Sequence, residues 1–316
     1  MPIQKRALSK AMPEACFIDC PAFLAELITP EMRALVPDLN VVVTDPSEDE
    51  VRTMVVGCRV VVNDHTWMGE SLLAACPDLH TIVFMGTGAS SYIDLEAAER
   101  HGIAVKTISG YGNQSVAEHA VALMFAAARK LAAMDRSLRA GQWSTLDSIE
   151  LSGKTLGVVG TGGIGRAMVR LGAGLGMSVI AWNRSGVPSD LPCTARKLHD
   201  LLAEADVVSL HVSLTNETAG ILDARRLALL KPSTILVNTA RGGLVDEAAL
   251  VSTLQEGRIA HAALDTFAEE PLTPDHPLTK LNNVTLTSHA GFMTREAATR
   301  LLQSAYELTT EALAKT

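Results

Sequence analysis

The sequence has no excess of basic residues and no long apolar run. Asp and Glu number 35 against 27 Lys and Arg, which gives a formal net charge of −8. Because a nucleic-acid backbone is bound by Lys and Arg clustered on one face, this balance argues against a nucleic-acid partner. No run of about 18 apolar residues exists to span a membrane, and no apolar segment of a signal peptide follows the letters MPIQKRALSKAMPEA. We therefore expect a cytoplasmic protein with no membrane partner.

Cysteines are few, and their number is odd. The five are scattered and lie mostly within apolar segments: Cys16, Cys20, Cys58, Cys76 and Cys193. This usage is typical of reduced, buried thiols. Cys16 and Cys20 have no Cys or His pair at ligand spacing that would complete a site, so we expect no metal.

The order of apolar runs predicts two α/β domains. With 316 residues, 47% of them hydrophobic, the chain is long enough for two cores. In the first part, short β-branched runs alternate with helical patterns, which indicates a parallel sheet covered on both faces. Its predicted strands are residues 15–20, 40–45, 59–64, 81–86 and 103–108.

A second series predicts a doubly wound sheet of six strands, with intervening helices. These strands are residues 154–160, 177–182, 206–212, 233–238, 260–265 and 283–288. A long helical pattern over 116–143, ending near Gly141, precedes the series, and it could join two domains or form a subunit interface. An amphipathic helix over 295–314 closes the chain.

The stretch LGVVGTGGIGRAMVRLG predicts a dinucleotide-binding loop. Gly160, Gly162 and Gly165 stand in G-x-G-x-x-G register, directly after an apolar strand and directly before a helical pattern. We expect the first glycine to allow a tight turn, the second to let a pyrophosphate approach, and the third to let helix pack on strand. The unpaired N–H groups of Gly163 and Ile164 would then face the phosphates.

Polar residues follow the predicted strands at the edge where open α/β sheets bind ligands. In the second half they are Asn183, His211, Thr239 with Arg241, Asp265, and His289. Arg241 offers a planar fork for a carboxylate, and His289 can exchange a proton with a carbonyl or alcohol oxygen. Glu270 is the candidate carboxylate that would favour the imidazolium form of His289. In the first half His65 also follows a strand, and it is a weaker candidate to line a cleft.

An acidic residue is missing where one is expected. About twenty residues after such a glycine loop, an Asp or Glu usually binds the ribose diol of NAD(H). Here stand Asn183, Arg184 and Ser185, which would not repel a 2′-phosphate and could bind it. The sequence therefore favours NADP(H), with NAD(H) as the alternative.

Four ordered motifs carry a family resemblance: GVVGTGGIGR, NTARGGLVDEAAL, ALDTFAEEPL and TSHAG. With these the chain resembles the D-isomer-specific 2-hydroxyacid dehydrogenases over nearly its whole length. The resemblance implies that Arg241 orients the substrate, that His289 is the acid/base, and that Glu270 supports it. It also implies that backbone N–H groups near Thr87 and Gly88, in FMGTGASSYID, receive the substrate carboxylate.

The same resemblance extends the set of cofactor contacts. Asp265 would accept a hydrogen bond from the nicotinamide carboxamide. The loop HVSLTNET contributes His211, Val212, Ser213 and Thr218, while Thr239, Ala240 and Gly291 complete the cofactor candidates.

The resemblance also implies a domain arrangement and an assembly. A discontinuous, flavodoxin-like substrate domain would comprise residues 1–108 and 291–316, around a Rossmann domain of residues 109–290. The long helix starting near Asn113 resembles the dimerisation element of the family, so we expect a homodimer.

The expected reaction is reversible hydride transfer between NADP(H) and C2 of a small 2-oxo or D-2-hydroxy acid, in a cleft between the domains. The family resemblance makes glyoxylate or hydroxypyruvate the first choice of substrate. Two other classes stay open. One is a nucleotide-sensing binding protein, because transcriptional co-repressors share this fold, and the other is a formate- or phosphite-oxidising relative.

Overall fold

The computed structural model describes residues 13–315, and the chain divides into two units. The first takes the described residues up to Tyr111 together with the chain from Arg295 onward, and the second is Gly112–Thr294. Each unit is a parallel sheet with helices, so the predicted α/β class is confirmed.

The first unit is built on a five-stranded parallel sheet of order β2-β1-β3-β4-β5. Its strands are β1 Ala15–Phe17, β2 Asn40–Val41, β3 Val60–Asn63, β4 Thr81–Phe84 and β5 Ala104–Thr107. Its helices are α1 Ala22–Ala25, α2 Pro30–Leu35, α3 Glu48–Met54, α4 Glu70–Ala74, α5 Leu95–Arg100 and α12 Arg295–Ala314, with a 3₁₀ turn at Ala89–Ser91.

Helix α12 belongs to the first unit although it lies at the end of the chain. Leu301, Leu302 and Tyr306 are buried on one of its faces, in a cluster that also holds Phe17 and Val62 of the sheet. This is the amphipathic helix that the sequence predicts, and its apolar stripe covers one face of the β1–β5 sheet.

The second unit is a seven-stranded parallel sheet of order β12-β11-β10-β9-β6-β7-β8. Its strands are β6 Thr155–Val159, β7 Ser178–Trp182, β8 Thr194–Ala195, β9 Val207–Leu210, β10 Ile235–Asn238, β11 His261–Leu264 and β12 Val284–Leu286. Its helices are α6 Asn113–Ala128, α7 Leu131–Arg139, α8 Gly163–Gly174, α9 Leu198–Glu204, α10 Ala224–Leu227 and α11 Glu247–Gln255, with 3₁₀ turns at Gly242–Leu244 and Pro277–Lys280.

This strand order is that of a Rossmann fold. The chain order reverses between β6 and β9, so the ligand-binding crevice of such a sheet lies beyond the carboxyl ends of these two strands. The six predicted strands are all present. The seventh, β8, pairs with β7, and its two exposed residues have no apolar run that would reveal it in the sequence.

The long helix predicted over 116–143 is wrong as a single element. Helix α6 ends at Ala128 and α7 begins at Leu131, because Lys130 between them adopts a left-handed conformation with φ of 52°. Neither Gly nor Pro stands at the break, so the sequence contains no ordinary signal for it. Helix α6 buries one face, whereas no residue of α7 is buried.

Three further features bear on the sequence predictions. Four of the five cysteines are buried and all five are free thiols, as expected. Within residues 13–315, no cluster of three or more His, Cys, Asp or Glu side chains is arranged to hold a metal ion. In the same residues, no helix has both the length and the apolar character required to cross a membrane.

Candidate active site

The glycine loop follows β6 and is shaped by two close approaches. Gly160 has φ of 99°, and a Cβ atom there would stand 2.6 Å from the carbonyl oxygen of His211. A Cβ atom on Gly165 would stand 1.9 Å from the carbonyl oxygen of Gly160. By contrast, a Cβ atom on Gly162 would meet nothing within 4 Å. The loop therefore requires glycine at its turn and where the helix packs on it, and it leaves space beside Gly162.

Helix α8 begins in this space. Gly162 is its N-cap and has no side chain to satisfy the first amides, among them those of Gly163 and Ile164. Such amides, with the positive end of the helix dipole, are suited to an anionic group. The Thr161 amide differs, because it donates to Oδ1 of Asn183 at 3.2 Å.

The segment after β7 is tied to the loop and to its own turn. The side-chain amide nitrogen of Asn183 donates to Ser185 Oγ at 2.9 Å and to the Gly186 carbonyl at 3.1 Å. Arg184 forms an ion pair with Glu217, and both side chains are exposed. The Glu217 carboxylate therefore lies beside the segment after β7. It comes from another loop, and it is paired with Arg184.

Four buried polar atoms at the carboxyl edge of the sheet have no partner within the part of the chain that the structure describes. They are Thr161 Oγ1, His211 Nδ1, Thr239 Oγ1 and Thr266 Oγ1. Burial lowers the pKa of His211 to about 4, so its ring is neutral near pH 7, and its Nε2 pairs with Ser209 Oγ at 2.8 Å. Unsatisfied buried polar groups are rare. Together with the open space at Gly162, these atoms fit a bound dinucleotide that offers polar partners.

His289 and Glu270 form a direct pair. His289 Nδ1 lies 2.7 Å from Glu270 Oε2, and Glu270 Oε1 accepts a hydrogen bond from the Phe267 amide at 2.9 Å. Since the carboxylate can only accept, Nδ1 carries the proton, and Nε2 is left to exchange one with a ligand. Both side chains are about one-third exposed. They line a pocket of about 870 Å³ whose wall includes Phe267, Leu272 and Leu286.

Arg241 stands between β10 and the Gly242–Leu244 turn. Its Nη1 donates to the Ala240 carbonyl at 2.7 Å, and its own carbonyl accepts from the Asn238 side chain at 2.9 Å. A Cβ atom on Gly242 would stand 1.9 Å from the Phe267 carbonyl carbon, so the arginine loop packs directly on the loop that leads to Glu270. The guanidinium forms no ion pair within residues 13–315, and it makes no hydrogen bond to Glu270 or His289.

Asp265 is almost fully buried, with 1% of its surface exposed. Its carboxylate accepts from the Ala290 and Gly291 amides at 2.9 Å each, and from Thr287 Oγ1 at 2.5 Å. Its contacts hold the loop that carries His289, and its low exposure leaves little of the carboxylate open to a ligand. The contact with a nicotinamide carboxamide stays a prediction.

The remaining cofactor candidates also take part in local hydrogen bonds. Thr218 Oγ1 donates to the Ser213 carbonyl at 2.6 Å and accepts from the Thr215 amide at 2.8 Å, which closes the loop after β9. The Ala240 amide donates to Asn238 Oδ1 at 3.0 Å. The side chain of Val212 lines the approach to Gly160, where a Cβ atom would stand 2.8 Å from it.

In the first unit, the loop after β4 holds Thr87 and Gly88, directly before the 3₁₀ turn. Neither amide donates a hydrogen bond within the described residues. Met68 is fully buried in the core of this unit, so its side chain cannot contact a ligand. Trp67 beside it is exposed.

Carboxylates gather at the carboxyl edge of the first sheet. Asp19 is fully buried and accepts from the amides of Asp64, His65 and Thr66 at 2.6 to 2.8 Å. His65 Nδ1 lies 2.9 Å from Asp64, and its Nε2 lies 2.9 Å from Asp45. Burial raises the pKa of Asp64 to about 6, in spite of its hydrogen bond to His65.

Comparison with known proteins decides the family. The family profile described as D-isomer specific 2-hydroxyacid dehydrogenase, NAD binding domain, matches residues 121–291. A glyoxylate reductase of Aeropyrum pernix is 42% identical over 248 residues, which cover 75% of this chain and 74% of that protein. The chain belongs to the D-isomer specific 2-hydroxyacid dehydrogenase family.

Other relatives of this family differ in length and substrate. A D-3-phosphoglycerate dehydrogenase of Mycobacterium tuberculosis is 39% identical over 285 residues, which cover 88% of this chain but 54% of that protein. This chain therefore spans about half the length of that relative. The solved structure of an acyclic imino acid reductase in complex with NADPH and D-Arg superposes with a TM-score of 0.83, at 28% identity, over 95% of this chain and 97% of that one.

Family membership makes this protein a nicotinamide-dependent oxidoreductase of the D-2-hydroxyacid dehydrogenase class. The sequence predicts three catalytic residues, Arg241, Glu270 and His289, and the structure brings Glu270 and His289 into contact. Arg241 is held on a neighbouring loop instead of in contact with them.

His119, in the second turn of α6, is not among the residues predicted from the sequence. Its Nε2 lies 3.0 Å from Thr287 Oγ1 and 3.3 Å from Asp265 Oδ1. The available signal is a histidine within the Ala- and Val-rich helical pattern SVAEHAVAL, where a half-buried polar side chain is expected to have a partner.

Proposed function

We propose that this protein reduces small 2-oxo acids with NADP(H), as a reductase of the glyoxylate or hydroxypyruvate type. The observation that carries the proposal is the 2.7 Å contact between His289 Nδ1 and Glu270 Oε2, which orients an imidazole with its Nε2 free. This is the arrangement that proton exchange with a substrate oxygen requires.

His289, Glu270 and Arg241 have different roles in the proposed reaction. When bound, the nicotinamide cofactor supplies the hydride to C2. His289 donates its Nε2 proton to the carbonyl oxygen during reduction and removes the alcohol proton in the reverse direction. Glu270 stabilises the imidazolium form through Nδ1. Arg241, whose guanidinium donates to the Ala240 carbonyl and forms no ion pair within residues 13–315, is available to hold the substrate carboxylate through two hydrogen bonds.

The free amides of Thr87 and Gly88 supply a second contact for the carboxylate. Backbone N–H groups without intramolecular partners are suited to an anion. This role follows from the resemblance and from the free amides together.

Charge in the first unit supports a substrate without phosphate. Strands β3 and β4 are neighbours in register, with Asn63 opposite Phe84. The Thr87–Gly88 loop after β4 therefore lies beside the turn that holds Asp64 and His65. Asp19 and Asp45 belong to the same cluster around His65. These carboxylates would repel a phosphate group carried by the substrate in addition to its own carboxylate. Glyoxylate or hydroxypyruvate is thus favoured over a phosphorylated substrate.

The preference for NADP(H) rests on Asn183, Arg184 and Ser185. These residues place an amide, a guanidinium and a hydroxyl where a carboxylate would otherwise contact the ribose. The related imino acid reductase has NADPH bound, which supports the same choice. Glu217 pairs with Arg184 and weakens this preference, so NAD(H) is the alternative.

A homodimer is part of the proposal, whereas the cytoplasmic location stays a prediction. Residues 131–150 form a segment in which no side chain is buried. It includes Leu131, Leu138 and Trp143, with exposed fractions of 51%, 54% and 90%. Apolar side chains exposed in one continuous segment are typical of a protein interface.

Steady-state kinetics with a panel of acids tests the function. The panel contains glyoxylate, hydroxypyruvate, a phosphorylated 2-oxo acid, and a 2-oxo acid with ammonia for imine reduction, each with NADPH and with NADH. We expect the highest kcat/KM for an unphosphorylated 2-oxo acid with NADPH. Cofactor binding without turnover would favour a nucleotide sensor. Formate and phosphite are assayed separately with NADP⁺ and NAD⁺, and their oxidation would favour that branch of the family instead.

A further inference from the structure

His119 connects helix α6 to the loop that carries His289. Its Nε2 lies 3.0 Å from Thr287 Oγ1 and 3.3 Å from Asp265 Oδ1. The Thr287 hydroxyl lies 2.5 Å from the same carboxylate oxygen, and it must donate there because a carboxylate only accepts. Nε2 of His119 therefore faces two acceptors and carries the proton.

Asp265 fixes the loop from the other side. Its two carboxylate oxygens accept the Ala290 and Gly291 amides, and its backbone carbonyl accepts the His289 amide at 2.8 Å. His289 itself has φ of 52°, in the left-handed region that residues other than glycine rarely adopt. Such a conformation persists only where surrounding contacts hold it. The Asp265 contacts supply that constraint.

Among the described residues, the donors to the Asp265 carboxylate are three groups of the 287–291 loop and His119, which comes from helix α6. Burial alone would raise the pKa of Asp265, but the hydrogen bonds from His119, Thr287 and the two amides lower it to about 2. Within residues 13–315, no Lys or Arg side chain pairs with this carboxylate. Packing is also tight, since a Cβ atom on Gly291 would stand 3.1 Å from Asp265 Oδ2 and 3.4 Å from His119 Cδ2.

We propose that His119 is a positioning residue for the reaction. By donating to Asp265 and Thr287, it anchors residues 287–291 to α6, so that His289 keeps its contact with Glu270 and presents Nε2. This inference rests on the proposed function, because the acid/base role of His289 gives the positioning its purpose.

Two substitutions at this position separate positioning from simple packing. His119→Leu keeps a side chain of similar size on the helix but removes the Nε2–H donor. His119→Gln can place a side-chain amide N–H near the position of Nε2. Gln114→Ala is the matched control on the same helix, since Gln114 is exposed and its side chain donates to Glu118. We measure kcat and KM from pH 4 to 9, and hydrogen–deuterium exchange in peptides covering residues 287–293.

In H119L we expect kcat to fall roughly tenfold or more, since a hydrogen bond to a charged group is lost. The acid limb of its pH profile should move to higher pH, because Asp265 then protonates more readily, and the 290–291 amides should exchange faster. H119Q should restore both properties, and Q114A should match the wild type. A purely structural role would lower the folded fraction without moving the pH profile.

The proposal is overturned if H119L keeps the wild-type kcat, pH profile and exchange at 290–291, or if H119Q is as impaired as H119L. The exchange measurement requires no turnover. If the wild type reduces no 2-oxo acid but H119L still loosens the loop, the proposed function has failed while the anchoring contact stands.

Discussion

The Glu270 carboxylate holds His289 in one tautomer, and a backbone amide of the Glu270 loop holds the carboxylate. Its Oε2 lies 2.7 Å from His289 Nδ1, and its Oε1 accepts from the Phe267 amide at 2.9 Å. The geometry therefore fixes both the direction of the imidazole and the position of its free nitrogen. The two residues are separated by 19 positions along the chain, and they meet because their strands β11 and β12 are neighbours in the sheet.

Replacing either residue should slow turnover strongly and leave cofactor binding intact. We expect His289→Ala to lower kcat by about 10²- to 10⁴-fold, the usual contribution of a positioned acid/base group. Glu270→Gln should lower it by about 10²-fold, because an amide can accept from Nδ1 but cannot stabilise the imidazolium form. Stopped-flow kinetics gives kcat, and fluorescence titration with NADPH gives the binding.

His276 provides the control for this pair. It lies 3.0 Å from Glu247, so the second unit contains another histidine–carboxylate contact away from the pocket wall. His276→Gln should leave kcat near the wild-type value. If H289A still turns over at the wild-type rate, the acid/base assignment is wrong.

Three glycine-to-alanine substitutions in the glycine loop and helix α8 should have different effects on fold stability and cofactor binding. Gly165→Ala should destabilise the fold by about 1–3 kcal/mol, since its Cβ atom would overlap the Gly160 carbonyl. Gly162→Ala should preserve the fold and weaken cofactor binding, because its Cβ atom enters open space beside the helix N-terminus. Gly174→Ala, in the same helix with nothing within 4 Å, should be neutral or stabilising by about 0.5 kcal/mol. Urea unfolding and NADPH titration measure the two effects, and equal stability of G165A and G174A would contradict the packing argument.

Much of this loop could be predicted from the sequence, because its signals are local. Buried parallel strands appear as continuous β-branched runs, and the glycines have fixed spacing before a helix. The same holds for Glu270 and His289, since each follows an apolar strand of the same sheet. A contact such as that of His119 with Thr287, 168 positions apart, leaves no local pattern. The break at Lys130 lacks a signal because neither Gly nor Pro stands there, and strand β8 lacks one because it consists of two exposed residues.

Cofactor choice should respond to the Arg184–Glu217 ion pair. Glu217→Gln frees the guanidinium, so we expect kcat/KM for NADPH to rise about two- to fivefold, within the range of an exposed ion pair. Arg184→Ala should lower kcat/KM for NADPH and change that for NADH little. Arg225→Ala is the control, because Arg225 is an exposed arginine paired with Asp223. A wild-type preference for NADH, or E217Q without effect on either cofactor, would contradict this interpretation of residues 183–185.

The exposed segment 131–150 leads to a prediction about assembly. Trp143→Ser together with Leu138→Ser should shift the protein from dimer to monomer, since these side chains are 90% and 54% exposed in the single chain. Sedimentation velocity over a range of concentrations measures the change. Leu175→Ser, at an exposed position outside the segment, should leave the mass unchanged. A wild-type protein that is monomeric at every concentration would exclude this interface.

Stability should depend on pH through His261 in β11. Burial, followed by the positive charge of Lys130, lowers the pKa of this histidine to about 4 in the folded chain, against 6.5 for an ordinary histidine. Between these values the unfolded chain binds a proton that the folded chain does not, so the free energy of unfolding rises with pH through this window. Acidification from pH 7 to 4 should therefore cost about 3 kcal/mol through this residue. Burial raises the pKa of Asp64 to about 6. Between its ordinary pKa and this value, its contribution to the unfolding free energy falls as pH rises, so it partly masks the contribution of His261.

The difference between wild type and His261→Gln isolates the contribution. Gln can keep the contact with Thr285 Oγ1, which lies 2.9 Å from His261 Nε2, but it does not titrate. Urea unfolding between pH 4 and 7 should show a smaller loss of unfolding free energy in H261Q than in the wild type, with the curves diverging below about pH 6.5. His199→Gln, at an exposed position of α9, should reproduce the wild-type curve. Parallel curves for H261Q and the wild type would mean that the ring is protonated without cost in the folded protein, and that its burial between the strands carries no charge penalty.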